Sequence, residues 1–317
     1  MTVRNTVHTI TVQASAADVY ELISDVTNWP QLFPPTVHAV RVDGTGTQER
    51  IRIWARANEG AKTWTSRRSL YPQTRSITFE QEIPAWPVAS MGGSWGIIEL
   101  GEGRCEIRLT HSYQAVDDLP EHLEWIDRAV ERNSTTELAA LKQNVELVTA
   151  GQERGLLSFA DTVHVAGDPQ DVYDFLNAAD LWPERLPHVA RARLTETTPG
   201  LQELEMDTRT KDGATHTTVS IRVCVPNERI VYKQITLPAL MTLHTGAWDI
   251  TPVAGGGVSV TSHHDVLINE ANIGAVLGPQ ATVADARRYV QQALSANSKA
   301  TLLLAKQHAE SMAGVTP

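Results

Sequence analysis

The residues best suited to chemistry form a short motif that occurs twice. Counting back from Pro72 and from Pro226, the chain reads S-x-R-x-x-x-P-x-x-R in both places, with Ser66 and Arg68 in the first and Ser220 and Arg222 in the second. In an extended strand, residues two apart share a face. Trp64, Ser66, Arg68 and Leu70 therefore point one way, as do Thr218, Ser220, Arg222 and Cys224 in the second occurrence. A buried Arg without a partner costs several kcal/mol, so an inward face carrying Ser and Arg requires a pocket. The alternative is an outward face with a solvated Arg. Val219, Ile221, Val223 and Val225 argue for it in the second copy, because they make the opposite face the more apolar one. The recurrence of the pair in both copies favours the inward placement. His111 and His264 also recur, at the last strand of each copy, as acid–base candidates beside the plain structural role of a strand His.

These motifs lie within a repeat of the whole chain. Placing residue i over i+153 sets DVYELISDVTNWPQLFP (18–34) on DVYDFLNAADLWPERLP (171–187) and GGSWGI (92–97) on TGAWDI (245–250). With one residue slipped, ITFEQEIP (77–84) matches IVYKQITLP (230–238), and, further on, ERNSTTELAALKQ (131–143) matches SANSKATLLLAKQ (295–307). The period is too long for a solenoid unit and marks a duplicated domain. The join is expected within 149–158, giving domains 1–150 and 151–317.

Each half reads as a strand, a short helix, a meander of about six antiparallel strands and a long closing helix. Ser15 with Asp18, and Asp168 with Pro169, signal the start of the short helix, and the Trp-Pro pairs at 29–30 and 182–183 are expected to stop it. The closing helices are expected near 120–149 and 281–310. Ile126, Val130, Leu141, Val145 and Val148 form an apolar stripe in the first, and Asn133 falls on it; Asn297 is placed similarly among Val290, Ala293 and Leu304. Each Asn either bonds backbone locally or faces a cavity. The class is α+β: an antiparallel sheet that buries one face under the long helix, with room for a ligand between them. Trp29, Phe33, Trp64, Trp86 and Trp95 are the expected aromatic lining of the first cavity, with Trp182, Thr218, Tyr232 and Trp248 at the related positions of the second.

Composition narrows the functions. With 42% hydrophobic and 20% charged residues in 317, the chain is an ordinary globular protein of two-domain length. A net charge of −10 argues against nucleic acid as the main partner. No run of 18 apolar residues suggests a membrane span, and MTVRNTVHTI lacks the features of a secretory signal. The two cysteines, Cys105 and Cys224, stand apart and read as buried thiols of a cytoplasmic protein. No nucleophile triad, phosphate loop or metal cluster stands out, and neither a cofactor nor a metal is expected.

Taken together, FPPTVH (33–38), RIWAR (52–56), KTWTSRR (62–68), ASMGGSW (89–95), THSYQAVDD (110–118), ERLPHVARARLTE (184–196), THTTVSIRVCVP (215–226) and ANSKATL (296–302) resemble the two-domain aromatase/cyclases of bacterial type II aromatic polyketide synthases. The resemblance spans nearly the whole chain. It implies a tandem helix-grip fold, START-like or Bet v 1-like, in which each curved sheet wraps its long helix. It implies a substrate that is a poly-β-ketone thioester held by phosphopantetheine on an acyl carrier protein, with a ketoreductase and a ketosynthase as neighbours in the synthase. The implied reaction is first-ring aldol closure followed by loss of water. The family's pocket Arg and Ser carry over to Arg68 and Ser66, and to Arg222 and Ser220; the Asn-Ser pair carries over to Asn133-Ser134 and Asn297-Ser298. A tyrosine near the pocket mouth of single-domain relatives corresponds to Thr36 and is lost. Such an Arg would stabilise an enolate or alkoxide, with Ser66 or a water relaying protons. A non-catalytic ligand carrier of the same fold is the competing reading.

Overall fold

The alternating segments pair as expected. In a computed structural model, which describes residues 2–57, 60–149, 156–209, 213 and 215–314, the first half runs β1 (Arg4–Val12), α1 (Ala16–Ser24), α2 (Trp29–Leu32), β2 (Thr36–Thr45), β3 (Gln48–Ala57), β4 (Gly60–Tyr71), β5 (Ser76–Gln81), β6 (Val88–Gly101), β7 (Arg104–Ala115) and α3 (Pro120–Thr149). The second repeats it: β8 (Leu157–Val165), α4 (Pro169–Asn177), α5 (Trp182–Arg185), β9 (Val189–Thr198), β10 (Leu201–Arg209), β11 (Thr215–Val225), β12 (Arg229–Thr236), β13 (Met241–Pro252), β14 (Val258–Ile268), a short α6 (Ile273–Leu277) and α7 (Val283–Met312). Each half holds one seven-stranded sheet, ordered β1-β7-β6-β5-β4-β3-β2 and β8-β14-β13-β12-β11-β10-β9. The chain separates into two compact units, one built on Met1–Ala57 and Lys62–Glu153, the other on Arg154–Pro317. The expected join at 150 and 151 lies outside the described residues.

Local signals account for the helix starts. The Asp18 N–H donates to Ser15 Oγ at 3.2 Å, and the Gln170 N–H to Asp168 Oδ1 at 2.8 Å with Pro169 in the first turn. The expected stop at Trp-Pro is corrected. Helix α1 ends at Asp25, whose backbone is extended (φ −87°, ψ 106°), and α4 ends at Ala178. Trp29-Pro30 and Trp182-Pro183 open new helical turns instead, because a residue without an N–H suits a first turn, where no intrahelical partner exists for one.

In the first half, α3 lies on β1 and β7 and touches α1 and α2, while α2 touches β2. Both sheet edges are thus tied to the helices, and the middle strands arch over an interior. Val12, Val19, Ile23, Ile97, Ile107, Leu141 and Val145 fill one end of it, each worth about 1.5–3 kcal/mol of burial. In the second half, α7 lies on β8 and β14 and meets α4, over a core of Val172, Leu176, Trp182, Ile250 and Leu302. No described helix is long and apolar enough to cross a membrane.

Candidate functional site

Strand register assembles the site. Arg68 lies opposite Phe79, Phe79 opposite Gly93, Gly93 opposite His111, and His111 opposite Thr6. These residues form one row across the sheet, on its inner face. The second sheet repeats it as Arg222, Tyr232, Gly246, His264 and Phe159. Glycine in the row is a steric requirement. A Cβ on Gly93 would sit 2.7 Å from the Phe79 ring and 2.0 Å from the Thr110 carbonyl; on Gly246 it would meet the Tyr232 hydroxyl at 2.4 Å. The missing side chain lets each aromatic ring lie across its neighbour strand and reach the histidine.

Both arginines are buried, with 4% and 1% of their surface exposed. The Arg68 guanidinium donates to the buried Glu49 carboxylate and to the Ser24 carbonyl, with Nη1 3.4 Å from the Ile23 carbonyl. Arg222 donates to the Leu176 carbonyl at 2.6 Å and the Asn177 carbonyl at 3.3 Å. Each cation therefore holds the last, partly negative turn of a short helix, and burial lowers the pKa of both below the usual Arg value. The indoles of Trp29 and Trp182 lie beneath them, with centroids 5.5 and 5.3 Å from the guanidinium carbon. This arrangement explains why both copies keep the Trp: its ring is a shelf for the Arg. With Nε and Nη2 committed, Arg68 keeps one N–H of Nη1 for another acceptor.

The histidines differ between the halves. In the first, His111 meets the edge of Phe79 at 5.7 Å, and its Nδ1 lies 3.4 Å from Ser134 Oγ. In the second, His264 Nε2 lies 2.7 Å from Ser298 Oγ and 3.2 Å from Ser262 Oγ, while Nδ1 meets Tyr232 Oη at 3.1 Å and His244 Nε2 at 3.0 Å. Burial is the main cause that pushes His111 and His264 down to about 4 and His244 to about 3, so the imidazoles are neutral near pH 7.

The halves also differ in how far these inward positions are closed off. Trp64, Phe79, Met91, His111 and Glu137 point inward in the first half and remain half-buried. Their counterparts Thr218, Tyr232, His244, His264 and Thr301 are all buried, none more than 7% exposed. Glu137 keeps accessible surface, yet burial alone raises its carboxyl to about 7. Glu137 is therefore desolvated without being closed off, as a side chain on the wall of an interior space would be. In the second half a buried Tyr–His–His–Ser network takes the corresponding positions.

The other expected residues are placed as follows. Phe33 and Trp95 are buried, 5.8 Å apart, and Trp29 meets Phe33 edge-on at 5.5 Å. Ser66 is buried on the Arg68 face, and its hydroxyl has no hydrogen-bond partner among the described residues. Trp182 and Trp248 meet edge-on at 5.9 Å, Ser220 is buried, and Thr218 Oγ1 lies 3.5 Å from the Met206 carbonyl. Three expectations are corrected. Trp86 does not line the hollow: it is 73% exposed between β5 and β6, beside His122, where strand alternation no longer orients side chains. Asn133 is exposed and Asn297 only half-buried; the inward residues of the two Asn-Ser pairs are Ser134 and Ser298. At about 100° per residue, Asn133 lies roughly 100° from the centre of the arc formed by Val130, Ser134, Leu138, Leu141 and Val145.

Comparison with known proteins agrees with this architecture. Residues 4–146 and 165–288 each match a family model described as polyketide cyclase / dehydrase and lipid transport. The chain belongs to the polyketide cyclase/dehydrase family. It is 50% identical over 300 residues to the granaticin polyketide synthase bifunctional cyclase/dehydratase of Streptomyces virginiae, covering 95% of this chain and 98% of that one. It is 46% identical over 320 residues to the actinorhodin polyketide synthase bifunctional cyclase/dehydratase of Streptomyces coelicolor, covering 97% and 96%. Among solved structures, it superposes with TM-score 0.91 and 54% identity on the di-domain ARO/CYC BexL from the BE-7585A biosynthetic pathway, covering 97% and 99%.

In this polyketide cyclase/dehydrase, sequence reasoning overlooked three features of the first interior: Phe79, Gly93 and Glu137. The signal for Glu137 was present. It lies seven residues after Val130 and four before Leu141, an acid within an apolar stripe. Nothing in the sequence revealed that Gly93 must be small, because the clash arises only once β5, β6 and β7 are side by side.

Proposed function

We propose that the first half closes and aromatises the first ring of a poly-β-ketone thioester on an acyl carrier protein, and that the second half, its hollow filled, supports the fold. The observation that carries the reading is the paired set of positions: Trp64, Phe79, Met91 and Glu137 remain half-buried where Thr218, Tyr232, His244 and Thr301 are buried. A flexible chain with alternating carbonyls folds into such a hollow with an enolisable carbon beside a carbonyl. Positioning of this kind is worth up to about 7–11 kcal/mol of barrier. The aromatic walls (Trp29, Phe33, Trp64, Trp95) press the nascent ring flat, and the remaining N–H of Arg68 and the Ser66 hydroxyl are donors for the oxygen that gains charge. The names of its relatives, cyclase/dehydratases of polyketide synthases, support the reaction class.

The test is reconstitution with a minimal type II synthase and a ketoreductase, comparing products with the wild type, Trp64→Thr/Met91→His and Thr218→Ala. The first-half variant is expected to divert product to spontaneously cyclised shunts, and Thr218→Ala to leave the product unchanged. Loss of activity only in the second-half variant would reverse the assignment. A wild-type protein that leaves the product distribution unaltered would mean that the fold only carries its ligand.

A further inference from the structure

Among the described residues of α3 that face the first sheet, Glu137 is chemically out of place. Its neighbours on that arc, Val130, Leu138, Leu141 and Val145, are at most 6% exposed. By helical spacing, Glu137 lies about 20° from Val130 and about 40° from Leu141, at the Val130 edge of the arc and one turn beyond Ser134, which reaches His111. Elements packed on this stretch carry Tyr20 on α1 and His8, His111 and Tyr113 on β1 and β7; the Arg68–Glu49 pair lies across the interior. Three members of this set have other partners: His8 bonds Glu131 at 2.8 Å, Tyr113 bonds Asp127 at 2.5 Å, and Arg68 pairs with Glu49. None contributes to the state of the Glu137 carboxyl, which has no hydrogen-bond or ion-pair partner among the described residues. An acid kept in a stripe of aliphatic residues without a partner weakens the fold. The second half places Thr301 there instead, satisfied by its own helix through the Asn297 carbonyl at 2.9 Å.

We infer that Glu137 is the acid–base group of the first hollow, the residue that moves protons during ring closure and dehydration. The inference rests on the first hollow being the reaction chamber. In its carboxylate form, Glu137 takes a proton from a methylene between two carbonyls. The carbanion electron pair forms the new carbon–carbon bond to a carbonyl of the same chain, and the resulting alkoxide recovers the proton from the Glu137 acid. In dehydration, the carboxylate removes the next α-proton; the carbon–oxygen bond breaks, and the departing hydroxide takes that proton to leave as water. The carboxylate is regenerated, and no oxidant or reductant is consumed. His111, held neutral by burial, is a hydrogen-bond partner rather than a competing cation. The carboxyl, poised near 7, suits both halves of the cycle.

The test compares Glu137→Gln, Glu137→Asp and Met91→Trp in the full chain, reconstituted with a minimal synthase and ketoreductase, with thermal melts reporting folding. Glu137→Gln is expected to slow formation of the on-pathway aromatic product by roughly 10²–10⁴-fold and to abolish the rise in rate through about pH 7 expected of the wild type. Glu137→Asp is expected to retain a pH-dependent fraction of the rate. Should the Gln variant fail to fold, Glu137→Thr, which copies the second half, takes its place. A folded Gln or Thr variant with the wild-type rate and pH profile overturns the assignment. Met91→Trp, which fills the hollow, distinguishes the two levels: its inactivity beside an active Gln variant removes only Glu137, whereas an active Met91→Trp protein removes the hollow as the reaction site.

Discussion

Replacing Glu137 by Gln should change how the stability of the first half depends on pH. The carboxyl is raised from 4.5 to about 7 by burial alone. A shift of this size, at 1.36 kcal/mol per unit, corresponds to about 3 kcal/mol between the charged and neutral forms. The folded state holds its proton up to about 7, whereas the unfolded chain releases it near 4.5. Between those values the native state binds more protons, so raising the pH favours unfolding. The wild type therefore loses about 3 kcal/mol across this window and levels off above it. His111 works in the opposite direction, because it is neutral in the fold down to about 4 while the unfolded imidazole gains a proton below 6.5. That contribution is common to both proteins and cancels in their difference. Urea unfolding followed by tryptophan fluorescence is the assay, since six of the eight tryptophans lie in the first half. The stability of Glu137→Gln minus that of the wild type should grow by about 3 kcal/mol from about pH 4.5 to about pH 8. Parallel stability curves for the two proteins would refute the burial argument.

Three further outcomes follow from contacts in the two rows. Arg68→Ala leaves Glu49 buried without its cation and should cost about 3–5 kcal/mol; Arg222→Ala leaves only carbonyls unpaired and should cost about 1–3 kcal/mol. Chemical unfolding that shows the reverse order would contradict the roles assigned to the two clamps. Phe79→Tyr places a hydroxyl where Tyr232 reaches its histidine, so it should shrink the first hollow and lower on-pathway product several-fold in the reconstituted assay. Gly93→Ala and Gly246→Ala should each destabilise by about 1–3 kcal/mol in thermal melts, because both Cβ atoms would collide with a ring and with backbone.

Much of the fold was legible because its signals are local. Alternation along RIRIWARA and CEIRLTHSYQA marks strands wherever they pair, and the Ser15 and Asp168 caps act within one helical turn. The duplication was legible because equal folds keep equal residues where packing demands them: Trp29 and Trp182 recur since each supports an Arg. The Trp-Pro stop was misread because proline at the start of a turn and proline after a helix look alike in one dimension. Asn133 was misplaced because the true centre of the α3 arc depends on where β1 and β7 lie.

By itself, then, the sequence determined the α+β class, the tandem repeat and the Ser-Arg, His and Trp positions common to both halves, since periodicity and repetition are properties of the chain alone. Only the tertiary structure decided that Arg68 and Arg222 hold helix ends, that Phe79 passes over Gly93, and that inward positions left half-buried in one half are buried in its twin. Those outcomes depend on volumes and partners contributed by strands and helices distant in sequence, and a space between elements exists only after they have packed.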